Sequence, residues 1–243
     1  MKRIEVLFEN GDCLVLNKPA GLAVQGGQGV KISLDRILEA EFTPRPLLVH
    51  RLDQDTSGLI LAAKTREAAA RFSALFAGRY RSAGAGGAAE GIRKVYLAVC
   101  AGLPEPARGI IRLALEMRNG ARESRTRYRV LGSLPLPGGG ECSRLELELE
   151  TGRTHQIRRH LAYTGHPIPG DDKYGDFSLN KALRRAMGLK RLLLHAFRLH
   201  IPESLAGFAG GIDVCAPLPG YFTPFGPWPA SAGPAGGTEP ERH

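Results

Sequence analysis

Runs of apolar residues predict short strands at several places along the chain. Residues 6–16 alternate loosely around the turn sequence Asn10-Gly11-Asp12, which is typical of two strands joined by a hairpin. Residues 59–63 are continuously apolar and predict a strand that is buried on both faces. In residues 144–150 leucine alternates with glutamate, which predicts a strand with one buried face. Further strand patterns occur at 94–100, 126–131 and 192–200.

Helical spacing of apolar residues predicts helices between these strands. Ser33 and Thr65 each precede such an apolar stripe, and the second stripe runs to about residue 76. Serine and threonine are favoured N-caps because their side chains accept a backbone N–H of the first turn. A third, short helix is predicted at 154–163, with Thr154 as its cap.

The order of these elements predicts the fold class and the domain organisation. Strands and helices mix without regular βαβ alternation, which favours an α+β fold with a central mixed, largely antiparallel sheet. We expect one domain over residues 1–225. Residues 226–243 are rich in glycine and proline and predict a disordered tail. The Gly/Ala-rich segment 81–91 predicts a mobile surface loop.

Composition narrows the class of protein and of partner. The 243 residues carry 33 Lys and Arg against 24 Asp and Glu, a formal net charge of +9, which indicates a polyanionic partner. The longest apolar runs are far below the roughly 20 residues that a membrane-spanning helix needs. No signal-peptide pattern opens the chain, and the four cysteines are widely spaced without a CxxC pair. We therefore expect a cytoplasmic protein without a disulfide framework or a membrane anchor.

Two polar segments are candidates for chemistry. The first, HRLDQDTSG at 50–58, directly precedes the apolar strand at 59–63, where a rigid scaffold could hold its carboxylates. Asp53 could act there as nucleophile or base without a metal. The alternative is an ordinary turn in which Asp and Thr side chains bond their own backbone.

The second polar segment is TGRTHQIR at 151–158, at the predicted start of a helix. Arg153 and Arg158 supply fixed donors for a carboxylate or phosphate. In a helix, His155 and Arg158 would share one face, since they are three residues apart. The alternative is a basic face that simply contacts solvent.

These segments together resemble the RluA-type pseudouridine synthase family. The chain matches that family's catalytic motif HRLDxxTSGL without a departure, and the later TGRTHQIR also belongs to the resemblance. The shorter motifs that match are Asn17-Lys18-Pro19, Lys94-x-Tyr96, Gly170-Asp171-x-Lys173-Tyr174-Gly175 and Leu192-Leu193-Leu194-His195-Ala196. The resemblance spans about residues 11–222. It implies a sheet in two halves, flanked by helices, with a catalytic cleft between them.

The resemblance implies an RNA pseudouridine synthase, which isomerises uridine within an RNA chain. Asp53 would be the catalytic carboxylate, which attacks the sugar or the base or abstracts a ribose proton; the residues leave these alternatives open. Tyr96 would stack on the uracil and take the carbon 5 proton, and Arg158 would pair with Asp53. The remaining predicted substrate contacts are Arg51, which would fill the gap left by the flipped base, Leu194, which would contact the base, Arg153 and His155.

Cofactors and partners follow from the same reading. Isomerisation is redox-neutral and needs no activated donor, so we expect no cofactor, and we expect no metal although Asp53 and Asp55 lie two positions apart. The expected partner is RNA, with ribosomal RNA favoured and transfer RNA as the alternative, and the protein is expected to act as a monomer. Two other classes remain open: an RNA-binding protein that keeps the fold without turnover, and a metal-dependent phosphohydrolase that uses both aspartates.

One more segment is a candidate for RNA contact. Arginines at 108, 112, 118, 122, 125 and 127 surround Asn119-Gly120, a dipeptide that is typical of a hairpin tip. An arginine-rich hairpin could grip RNA phosphates. The alternative is a solvated arm, because Glu116 and Glu123 dilute its charge.

Overall fold

A computed structural model describes residues 3–27, 29–78, 82–83, 89–117, 120–137 and 139–229, with the backbone alone for 82–83 and 89–90. The strands are β1 (Glu5–Glu9), β2 (Cys13–Lys18), β3 (Leu47–Leu48), β4 (Ser57–Ala63), β5 (Ser82–Ala83), β6 (Ala89–Glu90), β7 (Arg93–Ala101), β8 (Arg108–Met117), β9 (Gly120–Pro135), β10 (Glu141–Leu149), β11 (Leu194–Ile201) and β12 (Ile212–Cys215). The helices are α1 (Leu34–Glu41), α2 (Arg66–Phe76), α3 (Gln156–Tyr163), α4 (Phe177–Met187), α5 (Glu203–Ala206) and a 3-10 helix at Gly220–Phe225.

The strands build one mixed sheet whose two halves meet at its centre. The order is β1-β2-β4-β11-β7-β10-β9-β8, with β3 beside β4 and β12 beside β11. Within this sheet the pair β4–β11 is parallel and the other pairs of named strands are antiparallel. The predicted α+β class, with a largely antiparallel mixed sheet flanked by helices, is confirmed.

The first half of the sheet is apolar on both faces because a helix covers each face. Leu59 and Leu61 of β4 pack in one cluster with Phe72 of α2. The alternate residue Ile60 packs on the other face with Leu38 of α1. This explains why residues 59–63 show no alternation, and the whole of β4 is buried as predicted.

In the second half of the sheet, β10 buries one face. Leu145 and Leu147 of β10 pack with Ile157 and Leu161 of α3. The glutamates between them, such as Glu146, are only partly buried, so the strict alternation of this strand is confirmed. Burying four such apolar side chains is worth roughly 1.5–3 kcal/mol each, which fixes α3 against the sheet.

Two of the three predicted N-cap positions are correct, but only Thr65 makes the capping hydrogen bond. Thr65 precedes α2 and its hydroxyl oxygen accepts the backbone N–H of Ala68 at 3.1 Å. Ser33 precedes α1, but its hydroxyl bonds the Asp35 side chain instead of a backbone N–H.

The prediction that Thr154 caps the third helix is wrong. The helix α3 starts at Gln156, and its N-cap is His155, which has a left-handed backbone with φ of 53°. The side-chain oxygen of Gln156 accepts the backbone N–H of Arg153 at 3.0 Å. That bond tightens the preceding turn, so the helix begins two residues later than expected.

Two predicted segments lie largely outside the described residues. Of the predicted mobile loop at 81–91, the backbone of β5 and β6 is described, and these strands pair with each other. Of the predicted tail, residues 230–243 lie outside the described part of the chain. Within residues 226–229, Trp228 donates its ring N–H to the Phe222 carbonyl at 3.1 Å.

The arginine-rich segment forms the predicted hairpin over its described length. Strands β8 and β9 pair antiparallel, while residues 118–119 lie outside the described residues. Arg112 lies directly opposite Arg125, an arrangement of like charges that is unfavourable without a counter-charge. Nearby, Arg127 and Arg129 form ion pairs with Glu150 and Glu146 of the neighbouring segment.

Across the described ranges, no helix combines the length and hydropathy that crossing a bilayer requires.

Candidate active site

A cavity of about 330 Å³ opens where the two halves of the sheet meet. Its volume is in the range of sites that take a small ligand. All seven residues predicted to form the site line it, namely Arg51, Asp53, Tyr96, Arg153, His155, Arg158 and Leu194. The structure therefore brings together residues from the loop before β4, from β7, from the start of β11, and from α3 and the turn that precedes it.

The register of the sheet explains why these segments meet. Gly58 of β4 lies opposite Ala196 of β11, and Ala196 lies opposite Tyr96 of β7. Because β4 and β11 run parallel, the loop carrying Asp53 and the start of β11 at Leu194 lie at the same edge of the sheet. Gly58 permits this junction, since its φ is +105° and an added Cβ would overlap the backbone of Ala196.

Asp53 is enclosed but remains reachable from the cavity. Its side chain is 18% exposed. One carboxylate oxygen lies 3.7 Å from Nη1 of Arg158, and the other lies 3.8 Å from Nε2 of His155. Both contacts are longer than hydrogen bonds. The carboxylate thus has two cationic or polar neighbours, but neither of them occupies its lone pairs.

The strongest partner of Arg158 is a residue to which the sequence assigned no role. Asp171 accepts Nε–H of Arg158 at 2.8 Å and Nη2–H at 2.7 Å, which is a bidentate pair. Both side chains are almost fully buried, at 5% and 1% exposure. These hydrogen bonds and the charges of Asp171 and Asp53 raise the pKa of Arg158, against the effect of burial, which is the largest single influence. The feature of the sequence that could have indicated this partner is Asp171 itself, the acidic residue of the matching motif at 170–175.

His155 owes its position to the same loop. Its Nδ1 lies 3.0 Å from the hydroxyl of Tyr174, and the two rings meet edge to face. Its left-handed backbone, rare for a residue with a Cβ, turns the side chain toward Asp53. Burial lowers the pKa of His155, and the positive charge of Arg158 adds to that effect, while Asp53 opposes it.

Tyr96 and Leu194 supply an aromatic and an apolar surface to the cavity. Leu194 is buried, whereas the ring of Tyr96 is partly exposed to the opening. Burial raises the pKa of the Tyr96 hydroxyl and the charge of Asp53 raises it further, so the hydroxyl is protonated at neutral pH. A flat ring could rest between such surfaces.

Three basic side chains lie at the opening of the cavity. Arg51 and Arg153 are exposed, and Lys94 is partly buried beside them. Burial lowers the pKa of Lys94 to about 8, and the neighbouring charge of Arg153 contributes. This arrangement favours a ligand that carries negative charge outside the cavity.

Lys18 is a further residue whose place the sequence did not reveal. It is fully buried, and its ammonium donates to the carbonyls of Pro19 at 3.1 Å, Leu22 at 2.9 Å and Gln54 at 2.8 Å. Burial lowers the pKa of Lys18 to about 7, while Asp55 and Asp53 oppose this shift. Because Gln54 follows Asp53, Lys18 ties the Asp53 loop to the segment after β2.

Among the described residues, no three His, Cys, Asp or Glu side chains converge in a way that could hold a metal ion. The chemistry that the cavity offers is that of a carboxylate in a partly dry pocket. An adjacent cation stabilises the charged form of such a group, which can then act as a nucleophile or as a base.

Comparisons with known proteins identify the family to which the chain is similar. A family model described as RNA pseudouridylate synthase matches residues 12–163, a range that contains Asp53, Tyr96 and Arg158. Ribosomal large subunit pseudouridine synthase C of Vibrio vulnificus (strain CMCP6) is 38% identical over 205 residues, which cover 79% of this chain and 59% of that protein. The protein of the same name from Pasteurella multocida (strain Pm70) is 36% identical over 220 residues, which cover 84% of this chain and 61% of that protein.

A solved structure is similar as well. Human RNA Pseudouridylate Synthase Domain Containing 1 matches with a TM-score of 0.68 and 29% identity, over 89% of this chain and 84% of that one.

The chain spans 59% to 61% of the length of the two bacterial relatives. The matched family model, the relatives and the fold agree with the motifs and the cavity, and the chain belongs to the RluA-type RNA pseudouridylate synthase family.

Proposed function

We propose that this protein is an RNA pseudouridine synthase that isomerises a uridine within an RNA chain. The observation that carries the proposal is the position of Asp53, whose carboxylate faces a cavity lined by Tyr96, Leu194 and Arg158. A flipped uracil would rest against the ring of Tyr96 and the side chain of Leu194, with its ribose near Asp53. The carboxylate then acts on the sugar or the base, or removes a ribose proton.

Base flipping is the first requirement of this reaction. A uracil stacked in RNA is out of reach of a side chain, and extruding it costs a few kcal/mol, less in a loop than in a duplex. We propose that Arg51 recovers part of this cost by filling the gap in the stack. Its exposed position at the opening of the cavity supports that role. Arg153 and His155 contact the flanking nucleotide or the flipped one.

Asp53 has to be ionised to react, although a bound base would remove water from around it. Desolvation alone disfavours the charged form. The proximity of the Arg158 guanidinium, 3.7 Å away, supports the prediction that Asp53 keeps its charge in the complex. Tyr96 completes the site by stacking on the uracil and taking the carbon 5 proton. Because its hydroxyl is protonated at neutral pH, it passes its own proton to a neighbouring acceptor in the same step.

We propose ribosomal RNA as the favoured substrate. The two bacterial relatives named above are ribosomal large subunit enzymes, and this supports the choice over transfer RNA. A cytoplasmic location is part of the same proposal, and the four unpaired cysteines support it. We also propose that the protein acts as a monomer.

The test is release of tritium from RNA labelled at carbon 5 of uridine. The wild-type protein is expected to release tritium and the Asp53→Asn variant to release none above background. Asp172→Asn is the matched control, since it makes the same change on a carboxylate that is 87% exposed. Equal rates for wild type and Asp53→Asn would contradict the proposal.

The same assay separates the two other classes of function. An RNA-binding protein without turnover would bind the transcript and release no tritium even from the wild type. A metal-dependent phosphohydrolase would lose its activity in a chelator, whereas tritium release is expected to survive it. Large-subunit ribosomal RNA and transfer RNA, tested as separate labelled substrates, decide between the two RNA classes.

A further inference from the structure

The guanidinium of Arg158 lies between two carboxylates, those of Asp171 and Asp53. Two of its three nitrogens, Nε and Nη2, donate to Asp171 at 2.8 and 2.7 Å. The third nitrogen, Nη1, faces Asp53 at 3.7 Å. A bidentate pair fixes the plane of a guanidinium as well as its distance. The direction in which Nη1 points is therefore set by Asp171.

The carboxylate of Asp171 is itself fixed by the loop that carries it. Its Oδ1 accepts the backbone N–H groups of Lys173 and Tyr174, each at 2.9 Å. Asn180 closes the loop, because its amide donates to the Asp171 carbonyl at 2.8 Å and accepts the Gly170 N–H at 2.7 Å. These hydrogen bonds fix the loop at residues 170–174 and hold the Asp171 carboxylate in one position.

The same loop braces the two groups beside Asp53 from a second side. The ring of Tyr174 lies 5.2 Å from the guanidinium carbon of Arg158, within range of a cation–π contact. The hydroxyl of Tyr174 lies 3.0 Å from Nδ1 of His155. Both neighbours of the Asp53 carboxylate are therefore oriented by Asp171 and Tyr174.

We infer that Asp171 is a positioning residue for the reaction, one that acts through Arg158 and contacts no substrate. It keeps the guanidinium close enough to stabilise a charged Asp53 and too far to form hydrogen bonds with it. Without Asp171, the guanidinium would be free to close on Asp53 and occupy the oxygens that must reach the nucleoside. This role rests on the proposed function, since it has meaning only if Asp53 is the reacting group.

The variant that isolates this role is Asp171→Asn. The Asn oxygen can still accept the N–H groups of Lys173 and Tyr174, so the loop keeps its bonds. The Asn amide would present a donor to the Nε–H donor of Arg158, so the bidentate pair is lost. We expect the single-turnover rate to fall by about 100-fold, because a misplacement of about 1 Å near the reacting atoms can cost that much. The dissociation constant for RNA is expected to change by less than about threefold.

Asp172→Asn is the matched control for charge and position. Asp172 follows directly in the chain, is 87% exposed, and lies 3.9 Å from Nη2 of the same guanidinium. Its neutralisation removes the same charge without touching the bidentate pair. We expect a rate within about twofold of the wild type, because exposed ion pairs contribute little.

A double-mutant cycle with Arg158→Gln tests whether Asp171 acts through Arg158. If it does, adding Asp171→Asn to Arg158→Gln should lower the rate by less than about threefold further. Two independent losses that multiply would overturn the inference. The double variant carries no unpaired buried charge, so it remains informative if Asp171→Asn alone is poorly folded. A wild-type rate for Asp171→Asn, or equal losses in rate and in RNA affinity, would overturn it as well.

A readout without RNA separates this inference from the proposed function. The Arg158 Nε–H resonance, observed by nitrogen-15 NMR, is expected to be protected from solvent exchange in the wild type and in Asp172→Asn, and to exchange at least tenfold faster in Asp171→Asn. Equal exchange in all three proteins would overturn the positioning role. Slow exchange together with a wild type that converts no uridine would instead refute the proposed function.

Discussion

The junction between the two halves of the sheet rests on one glycine, and replacing it gives a sharp test of the architecture. Gly58 has φ of +105°, and a Cβ built there would overlap the carbonyl and nitrogen of Ala196 on the neighbouring strand. An alanine at this position meets two costs. The left-handed backbone costs roughly 1–2 kcal/mol, and forcing an extra methyl group into a packed interior costs about 1–3 kcal/mol.

These costs predict that Gly58→Ala lowers the free energy of unfolding by roughly 2–5 kcal/mol. For a protein of this length, that corresponds to a fall in melting temperature of about 4–20 °C. The added methyl group would push apart β4 and β11, the strands that join the half of the sheet with Asp53 to the half with Tyr96. Activity measured well below the melting temperature should therefore fall as well, because the two halves of the cavity move apart.

The control is Gly11→Ala in the turn between β1 and β2. No atom lies within 4 Å of a Cβ built at Gly11. We expect this variant to stay within about 0.5 kcal/mol of the wild type. Urea unfolding followed by circular dichroism measures both variants. A Gly58→Ala protein that unfolds at the same urea concentration as Gly11→Ala would refute the argument that the parallel pair leaves no room for a side chain.

Four further predictions follow from single groups. Lys18→Met strips three partly buried backbone carbonyls of their donor. At roughly 1 kcal/mol per hydrogen bond, urea unfolding should show a loss of about 3 kcal/mol, and a change below about 1 kcal/mol would contradict the contacts. Tyr96→Phe keeps the ring, so filter binding should find RNA affinity within about threefold while tritium release slows; normal turnover would leave Tyr96 as a stacking platform only. Burial lowers the pKa of His160 and of His195 to about 4. Both histidines stay neutral in the native state, whereas in the unfolded chain they bind protons near pH 6.5. The free energy of unfolding should therefore be highest above pH 6.5 and fall between pH 6.5 and about 4, by up to about 1.4 kcal/mol per pH unit for each histidine. A urea midpoint that does not change with pH would contradict this prediction. If the hairpin grips RNA, Arg112→Gln should flatten the dependence of log affinity on log salt concentration by about one unit, and an unchanged slope would discard that contact.

The parts of the fold that could be predicted from the sequence depend on contacts close along the chain. The cap of α2 involves Thr65 and Ala68, three residues apart, and the first hairpin needs only its turn residues. The strand β4 was predictable because both of its faces are buried, which leaves a continuous apolar run. The prediction of the candidate site depended instead on the family resemblance, because the spacing of the motifs along the chain does not show that they meet in one cavity.

What could not be predicted depends on partners that are distant along the chain. Arg158 and Asp171 are 13 residues apart, and a basic residue on a helix does not reveal which carboxylate it meets. The late start of α3 has a local cause in the Arg153–Gln156 bond, but the left-handed backbone of His155 goes with a contact to the distant Tyr174. Lys18 belongs to a motif that matches the family, but the motif does not reveal that three backbone carbonyls accept hydrogen bonds from its ammonium.

Two buried ionisable side chains outside the cavity, Lys18 and Asp171, contact the surroundings of Asp53 and of Arg158 respectively. Lys18 fixes the loop of Asp53 through the carbonyl of Gln54, and Asp171 fixes Arg158 on the other half of the sheet. Burying a charge is costly unless every hydrogen-bonding position is satisfied, and here all three ammonium donors and both carboxylate oxygens are used. The separation of 3.7 Å between Asp53 and Arg158 is too long to be held by a bond between them. The groups that restrain the two partners are the Lys18 bond to the Gln54 carbonyl on the Asp53 loop and the bidentate Asp171 pair on Arg158.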